Sequence, residues 1–347
     1  MNARAADGCI KCGACLRACP VLAQEGKEEF PGPRRLVVEA PRFNVPLASL
    51  RPPLALCTTC ARCEEACPSR LPLTDAMVRM KASIDWGTDR PEGQARMLDS
   101  VSRTGRAVAP DRPSPPAPSE GDIMFFPGCI AEGRLPEVVG ASLALLKAAG
   151  ERPYVPSGWA CCGSPLEKVG ASWHLSSVRA ANAPILRGKA VTACPGCTVQ
   201  LRNAYGMEAL HVIEHLHSRG GIPARRYLRD APLVTVALHR PCHLARVVGP
   251  HTMEMARDLL GSVPGVTVTE YDEQDGCCGG GGGVASSRPE VAERMARGKI
   301  RSARSAGADV LLAPCPFCVI NLRRAGGMAV EDLMVFLARR LEVGENK

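Results

Sequence analysis

Residues Asp275-Gly276-Cys277-Cys278-Gly279-Gly280-Gly281-Gly282-Gly283-Val284 set two adjacent cysteines in front of five glycines. Three chemistries compete for this stretch: a phosphate loop, a redox disulfide, and a wrapper for an inorganic body. The phosphate loop fails on spacing, because a G-x-G-x-x-G fingerprint needs glycines at i, i+2 and i+5, and Val284 and Ser286 stand where the third belongs. A vicinal disulfide would account for Cys277 and Cys278 alone. Two neighbouring side chains normally diverge, and aiming both at one body needs an irregular backbone of the kind the following glycine permits.

Working outward from this stretch, the cysteines repeat. Upstream, the apolar run LVTVALHRPC delivers Cys242; downstream, DVLLA leads into Cys315-Pro316-Phe317-Cys318. The preceding half has the same order: IMFFPGC delivers Cys129, then Cys161-Cys162-Gly163, then AVTA leads into Cys194-Pro195-Gly196-Cys197. Helical stretches follow the first cysteine of each copy, Pro136 to Ala149 closed by Gly150 and Thr252 to Leu260 closed by Gly261, and a further one runs from Pro289 to Ala306. Alternating strand and helix predict two small α/β units, duplicates of one module, built around parallel sheets. Five thiols per copy exceed what one zinc ion takes. A metal–sulfide body larger than a single ion suits the Cys129, Cys161, Cys162, Cys194, Cys197 set and the Cys242, Cys277, Cys278, Cys315, Cys318 set.

The remaining eight of the 18 cysteines lie at the N-terminus as two runs, Cys9-x-x-Cys12-x-x-Cys15-x-x-x-Cys19-Pro20 and Cys57-x-x-Cys60-x-x-Cys63-x-x-x-Cys67-Pro68. Zinc usually takes two separated pairs; two copies of the longer run point to two cubane [4Fe–4S] clusters. In two-cluster ferredoxins the fourth cysteine of each run ligates the other cluster. That pattern assigns Cys9, Cys12, Cys15 and Cys67 to one cubane, and Cys57, Cys60, Cys63 and Cys19 to the other.

Composition removes several function classes. A net charge of +8 scattered along the chain, with four tyrosines and three tryptophans, makes no nucleic-acid reader, which would need a basic stripe or stacking aromatics. There is no N-terminal apolar run and no 18-residue apolar stretch, so neither secretion nor a membrane span is expected, and the expected location is cytoplasmic. In a reducing compartment so many thiols point to metal rather than disulfides. Gly87 to Asp122 reads as a linker, its five prolines between Pro110 and Pro118 excluding regular structure. The expected division is a helical two-cluster domain at 1–87, a Pro-rich linker at 88–121, a first module at 122–221 and a second at 222–347.

The two cysteine runs, with FPGPRRLVVEAPRF between them and CPSRLPLTDAMVRMK after, resemble the cluster-bearing helical domain of succinate dehydrogenase and fumarate reductase iron–sulfur subunits. The twice-present C-x(n)-CCG-x(n)-CPxC pattern resembles the cysteine-rich CCG module of heterodisulfide reductase and its relatives, among them iron–sulfur subunits of glycolate oxidase, lactate utilisation and glycerol-3-phosphate dehydrogenase. The whole chain looks like the fused catalytic subunit of a heterodisulfide reductase. The resemblance implies an α+β multidomain fold: a small helical bis-[4Fe–4S] ferredoxin-like domain followed by a duplicated α/β module in pseudo-two-fold arrangement. It implies a noncubane [4Fe–4S] cluster at each five-cysteine set, and clusters that face one cleft and reduce a disulfide.

Two functions follow. In one, an oxidoreductase subunit passes electrons from a flavoprotein or other donor through the cubanes to the disulfide-reducing centres. In the other, the chain is a non-catalytic electron wire of a flavin-dependent 2-hydroxy-acid, glycerol-3-phosphate or electron-transfer-flavoprotein-linked dehydrogenase, or of a fumarate-reductase-like complex. Both demand a partner, because the chain carries no flavin or nicotinamide fingerprint, and that partner set extends to a membrane cytochrome or quinone-linked subunit at the inner face of the membrane. His243, directly after Cys242, is a candidate proton donor. Arg240 and Arg246 are candidates to hold an anionic substrate tail. His211, His215, His217 and His239 give no ligand pattern distinct from a solvated helix face.

Overall fold

The computed structural model describes residues 8–110 and 116–342. Two four-stranded parallel sheets carry the second two-thirds of the chain. The first contains β1 (Ile123–Phe125), β2 (Pro153–Tyr154), β3 (Lys189–Thr192) and β4 (Glu208–His211) in the order β2-β1-β3-β4. The second contains β5 (Val234–Leu238), β6 (Val266–Thr269), β7 (Val310–Leu312) and β8 (Ala329–Glu331) in the order β6-β5-β7-β8, the same order. Helices Pro136–Ala148 and Thr252–Gly261 form where the sequence predicts them, each ended within a residue or two of its glycine. Helix Pro289–Ser305 likewise starts on a proline at its first turn.

This order places the cysteines. In an open parallel sheet the crevice opens at the C-terminal strand ends, where the strand order reverses. That point lies between β1 and β3, and between β5 and β7. Cys129 and Cys194 follow β1 and β3, and Cys242 and Cys315 follow β5 and β7, so the flanking cysteines of each copy converge on the switch point.

The two modules interlock rather than sit side by side. Helix Leu333–Arg339, after β8, packs on Pro136–Ala148 of the first module, and helix Val212–Ser218, after β4, packs on Thr252–Gly261 of the second. Leu143, Leu145, Leu146, Leu333, Phe336 and Leu337 thereby join one continuous apolar core, which also takes in Val212, Leu216, Leu259 and Leu260. The N-terminal helices build a second core, with Phe30, Leu54, Leu56, Met77 and Met80 almost fully buried, and it continues into the second module through Cys277, Val284, Val291 and Met295.

The segment after Gly87 departs from expectation. Glu92–Thr104 is a 13-residue helix that buries Gln94, Leu98 and Val101. Pro91 precedes it and Gly105, at φ 71°, ends it in the left-handed C′ conformation that glycine favours. It packs against the short helix Val284–Ser287, and the Gly105 carbonyl accepts from the Cys161 N–H at 2.8 Å. The prolines limit only the later part, of which residues 111–115 lie outside the described residues.

His211 also departs from the solvated-face reading. It is fully buried as the N-cap of Val212–Ser218, where its Nδ1 accepts from the Ile213 N–H at 3.3 Å and its own N–H donates to Glu214 at 2.7 Å. Burial lowers its pKa to about 4. The unfolded chain therefore takes a proton below pH 6.5 while the folded chain does not, and stability present above that pH falls as the pH drops towards 4. We expect His211 to cost about 2 kcal/mol between pH 7 and pH 5. Urea unfolding of wild type and of His211→Asn, which keeps a capping acceptor but does not titrate, should show that much less acid sensitivity in the variant.

Candidate metal centres and the cleft between them

The structure draws the N-terminal cysteines into two groups. Cys9, Cys12, Cys15 and Cys67 line one small cavity, and Cys19, Cys57, Cys60 and Cys63 line another. Each set thus takes three cysteines from one run and the fourth from the other. The loops that present them share an unusual backbone: Lys11 (φ 58°) and Gly13 (φ 76°) in the first, Thr59 (φ 54°) and Ala61 (φ 61°) in the second. Left-handed φ at a threonine is strained and persists only where its surroundings dictate it. Here it turns successive thiols inward. Burial pushes Cys19 up to about 12 and raises Cys15, Cys57 and Cys63 as well. Such crowded thiols become thiolates only against a cationic partner, and a coordinated metal deprotonates a thiol outright. The donor set fits iron–sulfur clusters.

The ten C-terminal cysteines form two groups of five, all buried. In the first, Cys129 Sγ lies 3.4 Å from Cys161 Sγ and Cys162 Sγ lies 3.4 Å from Cys197 Sγ. Each thiol of the vicinal pair therefore meets a different flanking cysteine, while the two remain close enough to act on each other. A Cβ at Gly128 (φ 75°) would stand 2.9 Å from Cys197 Sγ, so only glycine fits there. Phe126 and Trp159 close this site edge-to-face at 4.9 Å, with the Arg106 guanidinium stacked over the Trp159 ring and paired to Glu132.

In the second group Cys278 Sγ lies 3.3 Å from Cys318 Sγ, and Cys242 packs in one cluster with Cys277, whose thiol raises its pKa. The Gly279 and Gly280 N–H groups donate to Cys277 and Cys278 at 3.3 and 3.4 Å, the kind of contact that steadies a thiolate. The rest of the glycine run packs against the N-terminal domain. A side chain on Gly282 would collide with the Cys57 carbonyl, and a Cβ on Gly281 would stand 2.8 Å from the Thr58 carbonyl. The fully buried Lys81 clamps this junction, its Nζ donating to Cys57 O at 3.1 Å and Gly282 O at 2.9 Å. The result is a junction at which Cys60 and Cys277 share one packed cluster, and the neighbouring Cys277 thiol together with burial holds the Cys60 pKa well up.

A cleft of about 830 Å³ opens on the second group. Cys242, Cys277, Cys278, Cys315 and Cys318 all line it, whereas the first group sits behind Ser164 and Gly196 and lines none of it. His243 is at its wall, Nδ1 3.5 Å from Cys242 Sγ, and burial with Lys168 and Arg246 nearby lowers it to about 3, so it is neutral. The basic residues lining the cleft are Arg96, Arg134, Lys168 and Arg324, with no acidic residue among the lining. Arg240 and Arg246 are not among them: Arg240 pairs with Asp275 at 2.7 Å and Arg246 with Glu65 at 2.6 Å. Two of the histidines read as surface residues have acidic partners, His215 with Glu151 and His217 with Asp258. His239 is different. It is fully buried, and its donor atom, Cys278 Sγ and Cys318 Sγ lie within 4.8 Å of one another. Among the described residues no helix is long and apolar enough to cross a membrane.

Comparison with known proteins agrees with this layout. A 4Fe-4S dicluster domain matches residues 5–71, and a cysteine-rich CCG domain matches 123–202 and 236–323. One subunit of the CoM/CoB fumarate reductase of Methanothermobacter marburgensis is 31% identical over 91% of this chain and 67% of its own length. A component of the dihydromethanophenazine:CoB–CoM heterodisulfide reductase of Methanosarcina acetivorans is 27% identical over 96% of this chain and 94% of its own. A probable glycolate oxidase iron–sulfur subunit of Bacillus subtilis is 22% identical over 91% and 88%. Among solved structures, a hypothetical protein from Helicobacter pylori shares the fold, with TM-score 0.57 at 8% identity over 93% of this chain and 70% of that one.

Proposed function

Because the chain belongs to the iron–sulfur electron-transfer proteins that join a 4Fe-4S dicluster domain to CCG cysteine-rich domains, we propose that it delivers electrons to a disulfide bound in the cleft over the second cysteine group. The carrying observation is that cleft, floored by five thiols and reached from the N-terminal domain through the Cys60–Cys277 contact. On this reading Cys9, Cys12, Cys15 and Cys67 hold one cubane and Cys57, Cys60, Cys63 and Cys19 the other. The Cys129, Cys161, Cys162, Cys194, Cys197 and Cys242, Cys277, Cys278, Cys315, Cys318 sets each hold a noncubane [4Fe–4S] cluster. The bound clusters supply the one-electron chemistry.

The protein's own groups do the rest. Arg96, Arg134, Lys168 and Arg324 give the cleft a basic lining for an anionic disulfide, although Arg96 is paired with Glu92 and Lys168 with Glu167, and Met97, Ile130, Phe317 and Ile320 give it apolar wall. His243, neutral beside Cys242, is placed to hydrogen-bond a sulfur there, and the protons that release the product thiolates come from solvent in the open cleft. The domains are 1–87, 88–121, 122–221 and 222–347, the helix Glu92–Thr104 belonging to the second of these. The reciprocal helix packing supports a pseudo-two-fold relation between modules. The donor is a flavoprotein or similar subunit, and the chain works in the cytoplasm, peripheral to the membrane where a quinone-linked partner holds it.

The test is anaerobic. Reconstituted chain should carry about sixteen irons, and after chemical reduction it should convert disulfides with acidic groups to free thiols; about eight irons would sink the assignment at both modules. One observation favours the wire as a second reading: only one of the two five-cysteine groups lines the cleft, so a disulfide cannot touch both as the sites stand. No turnover with any disulfide, alongside reduction by a hydroxy-acid flavoprotein, would decide for it.

A further inference from the structure

The duplicated modules place different groups against their two cysteine sets, and the difference is specific. Phe126 and His239 are equivalent by register. Each follows the strand that delivers the first cysteine, and each backbone N–H donates at 2.8 Å to the neighbouring strand, Phe126 to Val191 O and His239 to Leu312 O. Tyr154 pairs with Met124 and Thr269 with Ala237, so two residues further on Pro156 corresponds to Tyr271. The first set is therefore faced by a phenylalanine and a proline, and the second by a histidine and a tyrosine.

Both polar groups lack partners. His239 is 0% exposed with neither ring nitrogen hydrogen-bonded, and the Tyr271 hydroxyl, in a residue 6% exposed, is unpartnered too. A buried polar group without a partner costs about 1–3 kcal/mol, a cost that an acceptor held at Cys278 and Cys318 would remove for both. The His239 nitrogen lies within 4.8 Å of Cys278 and Cys318 Sγ, and Tyr271 senses those same two thiols electrostatically. Nearby cations do not distinguish the modules, because Arg106 faces the first set and Lys299 the second. The donors do.

We propose that His239 and Tyr271 are positioning residues of the second centre, donating N–H and O–H hydrogen bonds to the sulfurs of the group held by Cys278 and Cys318, and so raising its reduction potential above that of the first. This rests on the cluster reading given above. A cluster gains one negative charge on reduction, and donors aimed at its sulfurs stabilise the charged form; hydrogen bonding to sulfur is a main determinant of such potentials. The phenylalanine-faced first centre lacks that help. Electrons then come to rest at the centre that opens into the cleft.

The test uses the full chain, reconstituted anaerobically, with the second centre's paramagnetic signal identified by its loss in Cys278→Ala. In wild type labelled with 15N-histidine, pulsed electron paramagnetic resonance should show a nitrogen coupling on that signal. His239→Phe, which borrows the first module's residue, should abolish the coupling and move the midpoint potential of the second centre to more negative values, with the first centre unmoved. Tyr271→Phe should move it in the same direction, and His239→Asn, which keeps an N–H donor, should restore most of the shift. Because His243 also stands beside Cys242, where His239→Phe loses iron the decision falls to His239→Asn, which should lose a histidine-nitrogen coupling that His243→Asn keeps. A full complement of iron with no nitrogen coupling and an unmoved potential overturns the proposal while leaving the clusters in place; wild type with about eight irons and no second-centre signal overturns the cluster reading beneath it, and the proposal with it.

Discussion

Gly282→Val should uncouple the N-terminal clusters from the cleft. The new side chain would meet the Cys57 carbonyl, and a β-branched residue at φ 64° adds backbone strain of its own. Overpacking against backbone costs about 1–3 kcal/mol and a left-handed non-glycine residue about as much again. The junction has little to absorb this, since Lys81 must keep both Cys57 O and Gly282 O within hydrogen-bonding distance. The chain is expected to yield by parting at the junction, which separates Cys60 from Cys277. Electron tunnelling falls exponentially with distance, so stopped-flow oxidation of the N-terminal clusters by the C-terminal ones should slow by about a hundredfold or more, the clusters themselves remaining loaded. The control is Gly298→Ala in helix Pro289–Ser305, where an added Cβ meets nothing within 4 Å; it should leave electron transfer alone and stabilise by about 0.5–1 kcal/mol. Wild-type transfer in Gly282→Val would mean that the Cys60–Cys277 contact carries no current.

That role for the glycine run shows where sequence stops being legible. The cysteine order alone yields the duplication, because each flanking cysteine is delivered by an apolar β-strand and each vicinal pair by a glycine turn, all local patterns. The crossed grouping of Cys19 and Cys67 is likewise visible from spacing. Gly281 and Gly282 are not, since the backbone they accommodate, Cys57–Thr58, is more than two hundred residues away. Arg240 and Arg246 look available in sequence, yet Asp275 and Glu65 occupy them. The helix Glu92–Thr104 had a signal, proline before it and glycine after, which the neighbouring prolines masked. His239 fails for a deeper reason: four histidines in polar company look alike until burial and partners are known. Aligning the two copies position by position, with Phe126 opposite His239, would have singled it out.

The same geometry assigns unequal fates to two chemically equal variants. Cys277→Ala and Cys161→Ala each remove one of five thiols from a set, and on the proposed four-cluster reading each is expected to cost about four of about sixteen irons. Cys277 both lines the cleft and touches Cys60, so its loss should remove the centre at which electrons arrive, and disulfide reduction should fall by about a thousandfold or more, the usual scale when a reacting group is deleted. Cys161 is 0% exposed and lies off that path, held to Cys129 and capped by the Gly105 carbonyl. In Cys161→Ala the second centre should therefore still be reduced at the wild-type rate in a rapid-freeze experiment started at the N-terminal clusters. Turnover in that variant then reports the chemistry of the cleft. Retained turnover means that one centre suffices for the disulfide, and lost turnover with normal electron arrival means that the sealed centre must open to the substrate during the reaction. Slow arrival at the second centre in Cys161→Ala would instead route electrons through the first module and contradict the Cys60–Cys277 path.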